Sequence, residues 1–343
     1  SWMPAWACVL VAVSSAITYN IVLAETLPDL LHPLLGVMVP KSTALLTVTT
    51  FCLLPLCLMK ELSSLAPYSL VGILAMVYTA LVMMERYSSG AYSTEAHTAT
   101  QPAILQELSR DQRPSFGTLG WQAVLTNPHC TIVISMLSTS FMAHYNAPKY
   151  YWELQNNTLN RYDTVVAASF FGSMLLLSTI AFLGFATFGA HSQGLILNNY
   201  AVSDTLMTWS RAAVAISIMF SYPLSFVGIQ DGLFDLLQIS SRQRQATGEV
   251  VTVVLLATIA GAALWIQDIR IIMAFSGASW GNCVIYIFPS YMMLKGVSKY
   301  PEMAPHLVPA TLTACMGVLL GCIGGWQALQ NLWAFVQTFS FAL

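Results

Sequence analysis

Charge is the scarcest property of this chain. Lys and Arg number 13 and Asp and Glu 15 among 343 residues, so charged side chains make up 8%, where soluble domains carry about 25%. With a net charge of −2 and no long run of either sign, the sequence offers no basic patch for nucleic acid and no charged tail. Metal-ligand spacing is missing too. The cysteines Cys8, Cys52, Cys57, Cys130, Cys283, Cys315 and Cys322 sit mostly inside apolar runs, without C-x-x-C or Cys/His patterns, and read as small lipid- or core-facing side chains. H-E-x-x-H, G-x-S-x-G, the P-loop and the dinucleotide fingerprint are all absent. The sequence therefore advertises no enzyme, no cofactor and no metal centre.

What it has in abundance is apolar length. Hydrophobic residues make up 56% of the chain and its mean hydropathy is +0.66, which predicts an all-α polytopic membrane protein whose first partner is the lipid bilayer. A window of about 19 residues picks out about nine candidate spans, each long enough for a hydrocarbon core of about 30 Å. They fall near 5–27, 42–60, 65–84, 130–154, 164–189, 205–229, 249–266, 270–294 and 307–326. One transmembrane domain over 1–343 is the simplest account. The first span lacks a basic flank and is too long for a signal-peptide core, so it reads as a true span. Because the sequence opens on Ser1 and enters that span almost at once, the expectation is that residues upstream are missing.

The only long polar segment, 85–124, reads as a surface loop, in part disordered. Residues 328–343, apolar and aromatic without charge, read as an interfacial helix rather than a tenth span. Lys60, Arg161, Arg242, Arg244, Lys295 and Lys299 fall in short loops on one side, and Lys41 and Arg270 on the other. The positive-inside rule makes the first side cytoplasmic or its equivalent, and the long loop and C-terminus external or lumenal. The sequon Asn156-Asn157-Thr158 then lies on the cytoplasmic side and is a chance match.

The stretch from 132 to 189 is the candidate functional centre. In IVISMLSTSFMAHYNAPKYYWEL, the residues Ser138, Thr139, Ser140, Phe141, His144, Tyr145 and Asn146 interrupt an apolar helix, and Pro148 removes a backbone donor where the helix should continue. Such a break inside a bilayer survives where protein or a water-filled cavity satisfies the freed backbone groups. The cluster therefore reads as a substrate path, with a packed contact of small residues as the plainer alternative. His144 stands open to two readings, a proton relay or a hydrogen-bonded structural residue. Thr18, Tyr19 and Asn20 on the first span and Asn282 on the eighth either face the same path or bond between helices. Asp204 and Arg211 near the start of the sixth span read as a structural ion pair or an interfacial anchor.

Several stretches together carry a family likeness. FMAHYNAPKYYWEL (141–154), GFATFG (184–189), AVSSAITYNIVLAETLPDLL (12–31), LPLCLMKELSSLAPYS (54–69), Arg211, Pro223 and FSGASWGNCVIYIFP (275–289) follow one another in a familiar order. The chain resembles the amino acid/auxin permease family, above all its sodium-coupled neutral amino acid transporter branch. The resemblance implies an inverted-repeat (LeuT-like) transporter fold in which these spans correspond to the family's third to eleventh helices, the first two being absent. It also implies a small neutral amino acid carried by alternating access, coupled to an ion or a proton. Where the branch has two threonines before the proline of its eighth helix, this chain has Met219 and Ser221. Ser221 is thus the one candidate for ion binding left at those positions, a thioether being a poor sodium ligand. The competing expectation is a non-transporting homologue serving as an accessory subunit of a larger membrane complex. The host membrane, whether plasma, vacuolar or lysosomal, or organellar, is open.

Overall fold

A computed structural model describes residues 2–37, 39–59, 66–93, 103–116, 130–144, 147–297 and 299–340. The elements are α1 (Trp2–Leu35), α2 (Lys41–Leu58), α3 (Ala66–Ser88), the short α4 (Ala103–Glu107), α5 (Cys130–Ser140), α6 (Ala147–Glu153) and α7 (Leu159–Phe188). They continue with α8 (Thr205–Leu236), α9 (Ser241–Ile266), α10 (Ile269–Val297) and α11 (Leu307–Ser340). Among the described residues eight helices are long and apolar enough to cross a membrane. The expected span at 130–154 differs, because it is made of two short helices, α5 and α6, neither of which reaches that length. At the other end of the chain, residues 328–340 continue α11 without interruption.

Local chemistry sets several of the helix ends. Asp204 caps α8 by accepting from the backbone N–H groups of Leu206 and Met207. Ser240 and Gln243 close a capping box at the start of α9, and Asp268 caps α10 through the N–H of Arg270. α7 ends at Gly189, whose φ of 62° combined with a ψ of −129° is a backbone conformation that glycine alone adopts without strain. There Ser115 donates its N–H to the Phe188 carbonyl and accepts the N–H of Ala190. A Cβ on residue 189 would collide with the Ser115 carbonyl oxygen.

The largest core is built around α1, which packs along α8 and also touches α2, α9 and α10. Ala16, Ile21 and Leu23 of α1 meet Leu45 and Leu53 of α2, Tyr222 and Phe226 of α8, and Ile259 and Ala260 of α9. α5, α10 and α11 form a second group around Ala274, Ala278 and Ala328, tied to α1 where Ala7 and Val11 meet Val284. A third core lies at the long-loop end. Tyr92, Phe188 and Tyr200 pack edge to face with ring centroids 4.9–5.5 Å apart, covered by Leu105 and Leu108. The described part of the 85–124 segment is a folded lid over this core: Gln112 Nε2 also donates to the Asn198 carbonyl at 2.8 Å.

Candidate substrate path

The break falls between Ser140 and Ala147, and its residues reach α7 on one side and α10 on the other. α5 ends after the N–H of Phe141 bonds the Leu137 carbonyl and that of Met142 turns back to Thr139. Pro148 occupies the first turn of α6, where the missing N–H would have no intrahelical partner in any case. Proline therefore opens the second half-helix rather than interrupting a continuous one. Tyr145 and Asn146 lie outside the described residues.

α10 is itself irregular opposite the break, winding as a π-helix over Gly277–Gly281 and again over Cys283–Ile287. Isolated π-turns are uncommon and concentrate at functional sites. His144 Nε2 lies 2.9 Å from the Val284 carbonyl, which can only accept, so this nitrogen carries the proton. Ser138 Oγ donates to its own helix at Ile134 and therefore accepts from the Tyr286 hydroxyl at 2.6 Å. Thr139 Oγ1 bonds the Ser135 carbonyl and rests against the bare faces of Gly277 and Gly281, where a Cβ would come within 2.8–3.1 Å of that oxygen. Ser140 Oγ donates to Met136, and Phe141 stacks on Phe170 of α7 with centroids 6.1 Å apart. Ser138, Thr139 and His144 thus share the α10 face, Phe141 turns to α7, and exposed Ser140 bonds within α5.

The two asparagines enter separate interfaces. Asn20 is fully buried and donates Nδ2 to the Ala16 carbonyl and to the Tyr222 hydroxyl of α8 at 2.9 Å. Its neighbour Tyr19 packs its ring 6.3 Å from that of Tyr222, and Thr18 bonds Ser14 within α1. Asn282 sits between the two π-turns and donates to the Gly317 carbonyl of α11. The Oδ1 atoms of both asparagines are buried without a hydrogen-bond partner among the described residues, a state costly enough to call for an explanation. Ser221 is half-buried on α8 between Phe220 and Tyr222.

Asp204 and Arg211 do not pair with each other. Seven residues of helix separate them by about 10 Å along the axis, and each has its own network. Asp204 takes Arg86 in a two-pronged contact at 2.8 Å and also accepts from Tyr92. Burial alone would raise its pKa, but the Arg86 hydrogen bond and the Met207 N–H outweigh it and hold the carboxyl below its ordinary value. Arg211, 1% exposed, donates to the carbonyls of Leu197 and Tyr200 at 2.9 and 2.7 Å and faces Asp29 of α1 at 3.7 Å. Asp29, Glu25 and Tyr222 were absent from the sequence-based site. The acids in ETLPDL at the end of an apolar helix were the available signal, since such acids are rarely idle.

The family described as transmembrane amino acid transporter protein matches residues 3–330. A Mus musculus protein provisionally named sodium-coupled neutral amino acid transporter 11 is 23% identical over 321 residues, covering 92% of this chain and 65% of its own length. Its Danio rerio counterpart is 24% identical over 313 residues, with 90% of this chain and 65% of its own length covered. Vacuolar amino acid transporter 2 of Saccharomyces cerevisiae is 20% identical over 340 residues, 93% of this chain and 66% of its own. The chain thus spans just under two thirds of these relatives. On the extent of the family match, it belongs to the transmembrane amino acid transporter family.

Proposed function

We propose that the protein carries a small neutral amino acid across its membrane by alternating access, with the α5–α6 break as part of the substrate path. The observation that carries this reading is the break itself, set against a helix that is π-wound at the same depth. Irregular backbone at membrane depth is tolerated where it is buried in protein or lines a cavity, and discontinuous helices are how many transporters present polar backbone to a substrate. The Oδ1 atom of Asn282, on the π-wound segment and without a partner among the described residues, adds an acceptor suited to an ammonium group or a water. Coupling to sodium is poorly served by Met219 and Ser221, one thioether and one hydroxyl where hard oxygen ligands are needed. Uptake by the native protein in proteoliposomes is therefore expected to persist when sodium is replaced by potassium. Collapse of uptake on that exchange would return sodium to the mechanism.

A second reading, that of a non-transporting accessory subunit, draws support from α7, whose most apolar stretch has no buried residue. That face is available to lipid or to another subunit. Purification of the native protein as a stoichiometric complex, with no uptake of any amino acid, would favour it.

A further inference from the structure

A cavity of about 470 Å³ opens at the long-loop end, away from the α5–α6 break. Four separate segments wall it: the end of α1 through Glu25, the lid through Asp111, the 190–198 connector through Gln193 and Asn198, and the α9–α10 turn through Asp268 and Arg270. A smaller cavity of about 230 Å³ adjoins it, sharing Glu25 and reaching Lys41. Glu25 is half-buried on α1. Asn198 Nδ2 donates to its Oε2 at 2.8 Å, while Oε1 accepts no hydrogen bond among the described residues. Asp268 and Arg270 neutralise each other at 3.1 Å, so Glu25 and Asp111 leave the larger cavity net negative. Low-dielectric walls of one sign concentrate counter-ions, and a half-buried carboxylate with a vacant acceptor is suited to an ammonium group.

We propose that this cavity is a loop-side binding site for the ammonium groups of amino acids, with cationic amino acids held more tightly than acidic ones. The ligand class rests on the transport reading, whereas the site itself is separate from the path at the break. Glu25 makes the principal contact, Asp111 adds long-range attraction, and Lys41 in the adjoining cavity stands at the margin for the carboxylate.

The test is protection of an introduced thiol in the native protein carrying Gln193→Cys, labelled from the loop side with a membrane-impermeant maleimide against the parent as background. L-lysine is expected to slow labelling at concentrations where L-glutamate does not. Adding Glu25→Gln, which keeps the Asn198 hydrogen bond and removes the charge, should raise the half-protecting lysine concentration by about three- to tenfold, the range of a half-buried ion pair. Equal protection by lysine and glutamate, no protection, or indifference to Glu25→Gln would each overturn the proposal. Labelling requires no transport, so a protein that protects without carrying amino acids sinks the transport reading and leaves this site standing.

Discussion

At Gly189 two independent constraints meet on one residue, a positive φ and the Ser115 carbonyl pressed against the place a Cβ would take. Gly189→Ala is expected to cost at least about 1–3 kcal/mol from backbone strain alone, read as a lowered unfolding temperature in detergent. Gly172→Ala in α7, where a Cβ meets nothing within 4 Å, is the matched control and should hold or slightly raise it. Asp204 carries a pH dependence of definite sign. Its folded pKa lies below the ordinary carboxylate value of about 3.9, so its stabilisation is complete above that value and fades as pH falls through the lower folded one. Hydrogen exchange over 196–204 should accelerate only below about pH 4, and Asp204→Asn should be fast at every pH. The sequence marked Asp204 and Arg211 as structural, but their partners Arg86 and Asp29 are 118 and 182 residues away along the chain. No local pattern encodes contacts at that range.

Among the elements, the end of α5 at Ser140 was legible because polar residues and proline in an apolar run are costly unless satisfied. The compensating irregularity of α10 was not. FSGASWGNCVIYIFP has the composition of an ordinary small-residue helix, and nothing in that composition marks its π-winding or the seating of α5 against Gly277 and Gly281. The packing of the lid was not legible for a related reason: a polar composition hides Tyr92, Leu105 and Leu108, which find their apolar partners in the α7–α8 connector. If the His144–Val284 bond holds the break to the π-segment, His144→Leu should lower maximal uptake by at least about tenfold, since misplacing a site by an ångström carries penalties of that order or larger. His144→Gln, which keeps a donor, should retain more. Equal losses in the two variants would show that the imidazole acts by something other than this bond.

For the whole molecule, composition and apolar length made an all-α polytopic protein legible, and among the described residues eight helices are long and apolar enough to span a membrane. The lid, the 190–198 connector and the 266–270 turn gather around one cavity, and the scarce Lys and Arg residues lead to the expectation that this end is external or lumenal. Cysteines placed at Gln267 and at Ser240 should accordingly be labelled by an impermeant reagent from opposite faces of the membrane. Labelling from the same face would undo the assigned orientation. The most direct measurement of the central claim is counterflow of labelled neutral amino acids into proteoliposomes holding the native protein, with potassium as the only alkali cation. The account predicts saturable, stereoselective exchange that His144→Leu depresses. A folded, membrane-inserted protein that exchanges no amino acid, with or without sodium, would contradict it.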